Sequence, residues 1–194
     1  MRLDTQRIGT ICGLLAPTVF MALYVVAMVN DPDYTFFENY LSDLGIGAAA
    51  WAFNSAVIIA GGLTIIFAIL AVRPVLGGGI IVDMAVGFTV VGAVFLILVG
   101  IFTEDYEGKH FIVAVGFFSS MQVALLFYSL SLYRAPVLGK GVTWFTLAAF
   151  ALGLVLIAVG LEPQTETVAV LVLLLWELVV AATIMWREPG TPTY

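Results

Sequence analysis

The side chains of this sequence that are able to do chemistry are few and widely spaced: one histidine, His110, one cysteine, Cys12, and carboxylates that include Asp43, Glu104 and Glu177. His110 stands directly behind the acidic stretch Glu104-Asp105-Tyr106-Glu107-Gly108-Lys109. One imidazole with carboxylates from other loops suits two chemistries: acid–base catalysis in which an acid orients the histidine, or a divalent cation held between them. Asp43, Glu104 and His110 are therefore candidate catalytic residues, and the same three are candidate metal ligands, with a divalent metal as the candidate cofactor. The structural alternative is a histidine that merely anchors a helix end at the membrane interface. A zinc centre of three histidines is excluded by the count, and no HExxH, GxSxG, P-loop or GxGxxG pattern occurs. Cys12, alone in an apolar stretch, makes no intrachain disulfide and reads as packing.

Ser42, Asn54, Gln122 and Glu177 form a second set, with the character of ligand-binding groups. Glu177 lies in a long apolar run. A charged group at the centre of a spanning helix costs about 2.5–3.5 kcal/mol on insertion scales, so its presence needs an explanation. Counting inward at about 1.5 Å per residue places it about 16–18 Å deep, with Gln122 at a similar depth. A Glu177–Gln122 contact is expected, with a protonated Glu177 donating to Gln122 or to a carbonyl. Either the pair holds the bundle together, or Glu177 is a proton- or ligand-binding carboxylate lining a cavity. Asp83, near a helix start, suits the positive end of the helix dipole.

These residues must be held by membrane-spanning helices. The chain has 194 residues, of which 62% are hydrophobic and 10% charged, with a mean hydropathy of +1.13. Spanning segments need about 20 apolar residues, and such runs recur with short polar breaks. The expected fold is all-α, a polytopic bundle of six transmembrane helices forming a single integral membrane domain over residues 1–194. The helices are expected near 8–29, 49–72, 79–102, 110–133, 141–161 and 166–186. The first is read as a retained helix, since no small-residue cleavage site closes it.

Arg2, Arg7, Arg73, Arg134, Lys140 and Arg187 fall on one side of that arrangement and only Lys109 on the other. The positive-inside rule then predicts a multi-pass cell-membrane protein with both termini cytoplasmic. The outer side collects Asp31, Asp33, Glu38, Asp43, Glu104, Asp105, Glu107, Glu162 and Glu166, whereas Asp4, Asp83 and Glu188 lie inside. With a net charge of −6 and no basic stripe, nucleic acid is excluded as a partner. In the long outer segment 30–48, Phe37, Tyr40, Leu41 and Leu44 follow helical spacing and Glu38, Asn39, Ser42 and Asp43 take the other face, which predicts a short interfacial helix over the outer mouth. That helix either presents Glu38, Ser42 and Asp43 to a cavity or caps a neighbour.

Tyr40-Leu41-Ser42-Asp43-Leu44-Gly45, followed by Phe53-Asn54-Ser55-Ala56-Val57-Ile58-Ile59-Ala60-Gly61, then Gly100-Ile101-Phe102-Thr103-Glu104 before His110, and Trp176-Glu177-Leu178 before Trp186, together resemble the domain-of-unknown-function 998 (DUF998) family of prokaryotic integral membrane proteins. The resemblance covers nearly the whole chain. It implies a six-helix fold without an assigned activity, and its matching positions are Ser42, Asp43, Asn54, Glu104, His110 and Glu177.

Two kinds of function stay open at this point. One is the binding of a lipid or small ligand in an outer-facing polar cavity, with membrane lipids as partners. The other is a membrane-embedded hydrolase or transferase acting on a lipid or lipid-linked substrate, metal-assisted or not. A transporter-like role, or a place in a homo-oligomer or larger membrane complex, is the further alternative. Glycines at 61, 62, 87, 92 and 100 permit close helix approach, within one bundle or between protomers.

Overall fold

A computed structural model of the chain describes residues 2–160 and 162–187. The side chains of Arg2, Asp4 and Glu107, and residues Leu161 and Glu188, lie outside what it describes. The described residues are all-helical, with six helices long and apolar enough to cross a membrane. They are α1 (Arg2–Val29), α2 (Ala50–Val75), α3 (Ile80–Ile101), α4 (Glu107–Arg134), α5 (Lys140–Val159) and α6 (Pro163–Trp186). An even number of spans puts both chain ends on one side of the bundle. That side is called proximal below, and the opposite side distal.

Neighbours in sequence pack against one another, and α1 packs against α6, so the six helices close a ring. Small residues set the spacing of its tightest seam. Gly9 and Gly13 of α1, one turn apart, lie against Leu70 and the Phe67 ring of α2, and a Cβ at either would overlap them. Gly61, Gly92 and Gly100 likewise meet neighbouring helices inside the bundle, whereas Gly62 and Gly87 face open space. The turn between α2 and α3 is Gly77-Gly78-Gly79, with φ of 83°, 73° and 94°, a left-handed run that residues with a Cβ rarely adopt. Beside it, Arg73 Nε donates to Asp83 at 2.9 Å, and Asp83 occupies the first turn of α3 as its charge favours.

Two apolar clusters fill the ring. The proximal one centres on Phe67, Leu125, Tyr128, Trp176 and Val180; the distal one centres on Phe20, Leu41, Leu44, Phe53 and Val57. Within α2, residues Ala68–Val72 form a turn of π-helix, one residue wider than the α-helix on either side. Helix α5 is the least embedded. Its buried residues, Val142, Thr143, Thr146 and Ala149, all lie in the proximal half, and Leu154, Val155, Ile157 and Val159 are exposed.

Two local outcomes differ from the sequence expectation. The last helix begins at Pro163 rather than 166, because proline suits the first helical position and Thr165 accepts the Glu162 N–H at 2.8 Å. The interfacial element is a five-residue 3-10 turn, Leu41–Gly45, not an amphipathic α-helix with Phe37 on its buried face. At three residues per turn Leu41 and Leu44 eclipse and are both buried, Ser42 turns inward beside them, and Phe37 is left 70% exposed.

Candidate functional site

Helix α4 carries a buried stripe at 110, 113, 117, 120, 121, 124, 125, 128 and 132, the spacing of one helical face. His110 opens that stripe, so the helix itself turns the imidazole into the bundle. Its Nδ1 lies 2.7 Å from the carbonyl oxygen of Phe102, at the end of α3. A carbonyl only accepts, so Nδ1 carries the hydrogen. The opposite nitrogen, Nε2, lies 3.1 Å from Glu104 Oε1. Glu104 sits in the short 3-10 turn Glu104–Tyr106 between α3 and α4, and its side chain is about one-third exposed, against 8% for that of His110.

Ser42 completes this group from a distant part of the chain. Its hydroxyl donates to the same Glu104 Oε1 at 2.7 Å. The turn that presents it is held from α6, where Glu166 Oε2 accepts the Leu41 N–H at 2.6 Å and also interacts with the hydroxyl and N–H of Ser42. Glu104 Oε1 thus takes a donor from the 3-10 turn and stands against the imidazole of α4, while Glu166 ties that turn to α6.

Asp43, expected beside Glu104 and His110, is instead turned onto its own turn: its Oδ2 accepts the Tyr40 N–H at 2.9 Å and the Asn39 amide at 3.4 Å. The position three residues after Tyr40 places this carboxylate where unpaired N–H groups of the first turn point, and capping them is what the geometry favours. Among the described residues no three His, Cys, Asp or Glu side chains converge as a group able to hold a metal ion. Of the trio Asp43, Glu104 and His110 expected on sequence, the structure brings Glu104 and His110 together with Ser42 and turns Asp43 onto its own turn. Glu104 and His110 are the metal-type donors in contact, and Glu166, which lines the same cavity, is engaged by the Leu41 N–H.

This group lines a cavity of about 570 Å³ at the distal end, within the size range of small-molecule sites. Tyr40, Ser42, Glu104, His110 and Glu166 give it a polar end, and Phe111, Val115, Phe118 and Ile157 an apolar wall. A smaller apolar cleft of about 60 Å³ between α4, α5 and α6 lies alongside, sharing Phe118, Ile157 and Glu166. Burial first, and then the carboxylates of Glu162, Glu166, Asp43 and Glu104, hold the Tyr40 phenol above its usual range. The only histidine stands among those acids, and Lys109 is placed over the Phe102 and Tyr106 rings at 5.5 and 5.7 Å.

The other residues singled out on sequence take separate places. Asn54 donates to the Gly45 carbonyl at 2.9 Å and finishes the 3-10 turn rather than facing the cavity. The expected Glu177–Gln122 contact does not form. Gln122 donates to the Phe150 carbonyl of α5 at 2.7 Å, lying against Gly153, where the missing Cβ leaves room for its amide. Glu177 faces the opposite neighbour and receives the Thr64 hydroxyl of α2, which lies 3.0 and 2.9 Å from its two oxygens. Equal depth does not fix the direction in which a helix points a side chain, and here α4 and α6 turn these two apart.

Sequence reasoning missed Glu166 as a site residue and Thr64 as the partner of Glu177. Glu166 stands on the same helical face as Glu177, three turns away, which is a signal the sequence does carry. Nothing local marks Thr64.

Chemically, the group is a carboxylate that accepts a serine hydroxyl and faces an imidazole oriented by a carbonyl. In a serine nucleophile site the imidazole takes the serine proton; here the carboxylate stands between the two. The arrangement offers a fixed acceptor, a fixed donor and a hydroxyl at the polar end of an apolar chamber. Neither a curated protein nor a solved structure matches the chain. The family model described as "Protein of unknown function (DUF998)" matches residues 14–186, and this polytopic membrane protein belongs to that family.

Proposed function

We propose that this protein binds a membrane lipid or a similar amphiphile in the distal cavity, and that the distal end faces the cell exterior. The headgroup meets Ser42, Glu104 and His110, and the hydrocarbon lies between α4 and α5. The observation that carries this reading is the union of a polar end and an apolar wall in one chamber of about 570 Å³. Beside that chamber the distal half of α5 buries no side chain of its own, so it opens sideways to the bilayer, where an acyl chain already resides. Carboxylates outnumber the one imidazole at the mouth, which favours a headgroup rich in hydroxyl or ammonium donors over an anionic phosphate. The outward orientation rests on the Lys and Arg residues, which gather at the proximal end save for Lys109.

The test is native mass spectrometry of protein purified with its lipids, comparing wild type with Ala114→Phe and Val115→Trp, two substitutions that fill the cavity. A lipid carried by wild type and lost from either variant, with helical content unchanged, is the expected result. A wild type without lipid, or variants that keep the same lipid in the same amount, would refute the reading.

A hydrolase or transferase is the second reading, favoured by one observation: the Ser42 hydroxyl lies 2.7 Å from a carboxylate joined to His110. Labelling by a lipophilic fluorophosphonate that disappears in Ser42→Ala would favour this reading over simple binding.

A further inference from the structure

Below the distal cavity the bundle holds a second acidic group that ligand binding at the mouth does not use. Glu177 is buried, 7% exposed, and its hydrogen-bonding partner is the Thr64 hydroxyl. It lies at the seam of the two apolar clusters, beside Trp176 of the proximal one and Leu174, which packs on the distal one. The titratable group that faces it is the Tyr128 phenol on α4, itself bonded to the Thr89 hydroxyl at 3.1 Å. The remaining walls, from α1, α2, α3, α4 and α6, are apolar. Among the described residues every Lys and Arg belongs to a helix end or a turn, and none of them lines the space around this carboxylate.

Glu166 and Glu177 are eleven positions apart, three turns on one face of α6 and about 16 Å along its axis. The space between them is not solid. A cavity of about 30 Å³ reaches inward from Ser42, His110 and Glu166. A second of about 30 Å³ ends at Thr64 and Glu177. The two share the walls Phe20, Leu96, Phe117 and Val170, and the upper one shares Ser42, His110 and Glu166 with the distal chamber. Each exceeds the roughly 10–15 Å³ that one water needs, and each has polar atoms at one end. A membrane-buried carboxylate without a cation, approached by a line of such spaces, is the arrangement of a proton-binding site.

We propose that Glu177 binds an exchangeable proton that reaches it from the distal mouth, past Ser42, His110 and Glu166, along this line of cavities. Thr64 positions the carboxyl, and Phe20, Leu96, Phe117 and Val170 form the narrow part of the route. The proposal does not depend on what the distal chamber binds.

Infrared difference spectroscopy of the full chain in proteoliposomes, exchanged from H₂O to D₂O, tests it. Wild type is expected to show a protonated-carboxyl C=O band that is absent in Glu177→Gln and that shifts on exchange. Leu96→Trp and Val170→Trp, which narrow the shared wall, are expected to slow that shift several-fold while amide exchange of the helices stays unchanged. A wild-type spectrum identical to that of Glu177→Gln would mean an ionised or cation-bound carboxylate and would overturn the proposal. So would a band that never exchanges, or one that exchanges equally fast in both narrowed proteins.

Discussion

Glu104 Oε1 accepts a hydrogen bond from Ser42 and stands beside the His110 imidazole, two groups with little other access to water, so its removal offers the sharpest test of the distal site. The Ser42 hydroxyl donates to it at 2.7 Å and His110 Nε2 lies 3.1 Å away, on residues that are 5% and 6% exposed. A hydrogen bond to a charged group contributes about 1.5–3 kcal/mol, and a buried donor left without a partner costs about 1–3 kcal/mol. The Glu104 side chain is itself 32% exposed, so water replaces part of what is lost. Glu104→Ala is therefore expected to destabilise the bundle by about 2–3 kcal/mol in an unfolding titration with denaturing detergent. Glu104→Gln keeps an acceptor for Ser42 and brings an amide N–H that the lone pair of Nε2 can accept, and is expected to cost about 1 kcal/mol. Ser42→Ala and Glu104→Ala should couple in a double-mutant cycle, because each removes the same bond. Since His110 is the only histidine, nitrogen NMR of labelled imidazole reports this site alone, and Nδ1 should carry its hydrogen in wild type and in Glu104→Gln. Additivity of the Ser42 and Glu104 effects within about 0.3–0.5 kcal/mol would remove the Ser42–Glu104 bond, and a histidine with the hydrogen on Nε2 only would remove the Nδ1–carbonyl bond.

Two further outcomes concern the scaffold. Trp176 Nε1 donates to the buried Thr146 hydroxyl at 3.0 Å, so Trp176→Phe is expected to cost about 0.6–1.7 kcal/mol, between the mean and the maximum for hydrogen bonds between membrane helices; an unchanged unfolding midpoint would remove that bond from the account. In a Cys12→Ala background, Asp33→Cys should react with an impermeant maleimide added to intact cells and Leu76→Cys should not. The reverse pattern would invert the proposed orientation.

Much of the scaffold was legible in the sequence for physical reasons that act locally. Apolar run length gives the spans, and the 3.6-residue period of α4 is enough to place His110 on a buried face. What was not legible is pairing across the bundle. Asp43 and Ser42 are adjacent, yet one caps its own turn and the other reaches Glu104, and only the tighter 3-10 geometry separates them. The Leu41 N–H finds Glu166 at a separation of 125 residues, which no local pattern encodes. The depth count for Glu177 and Gln122 failed for the same reason: it fixes height along the bundle normal and leaves azimuth free.

The π-helical turn Ala68–Val72 carries a consequence of its own. A straight α-helix advances about 100° per residue, so the surplus residue in that turn acts as a phase shift between the two halves of α2. Thr64, before it, is aimed at Glu177, while Val75 and Leu76, after it, still pack against the proximal core. Wound as an unbroken α-helix with the same number of residues, α2 would rotate its proximal stretch by about 100° and carry those two side chains round toward lipid. The number of residues in α2 is thus as much a determinant of the buried acid's surroundings as the identity of any one of them.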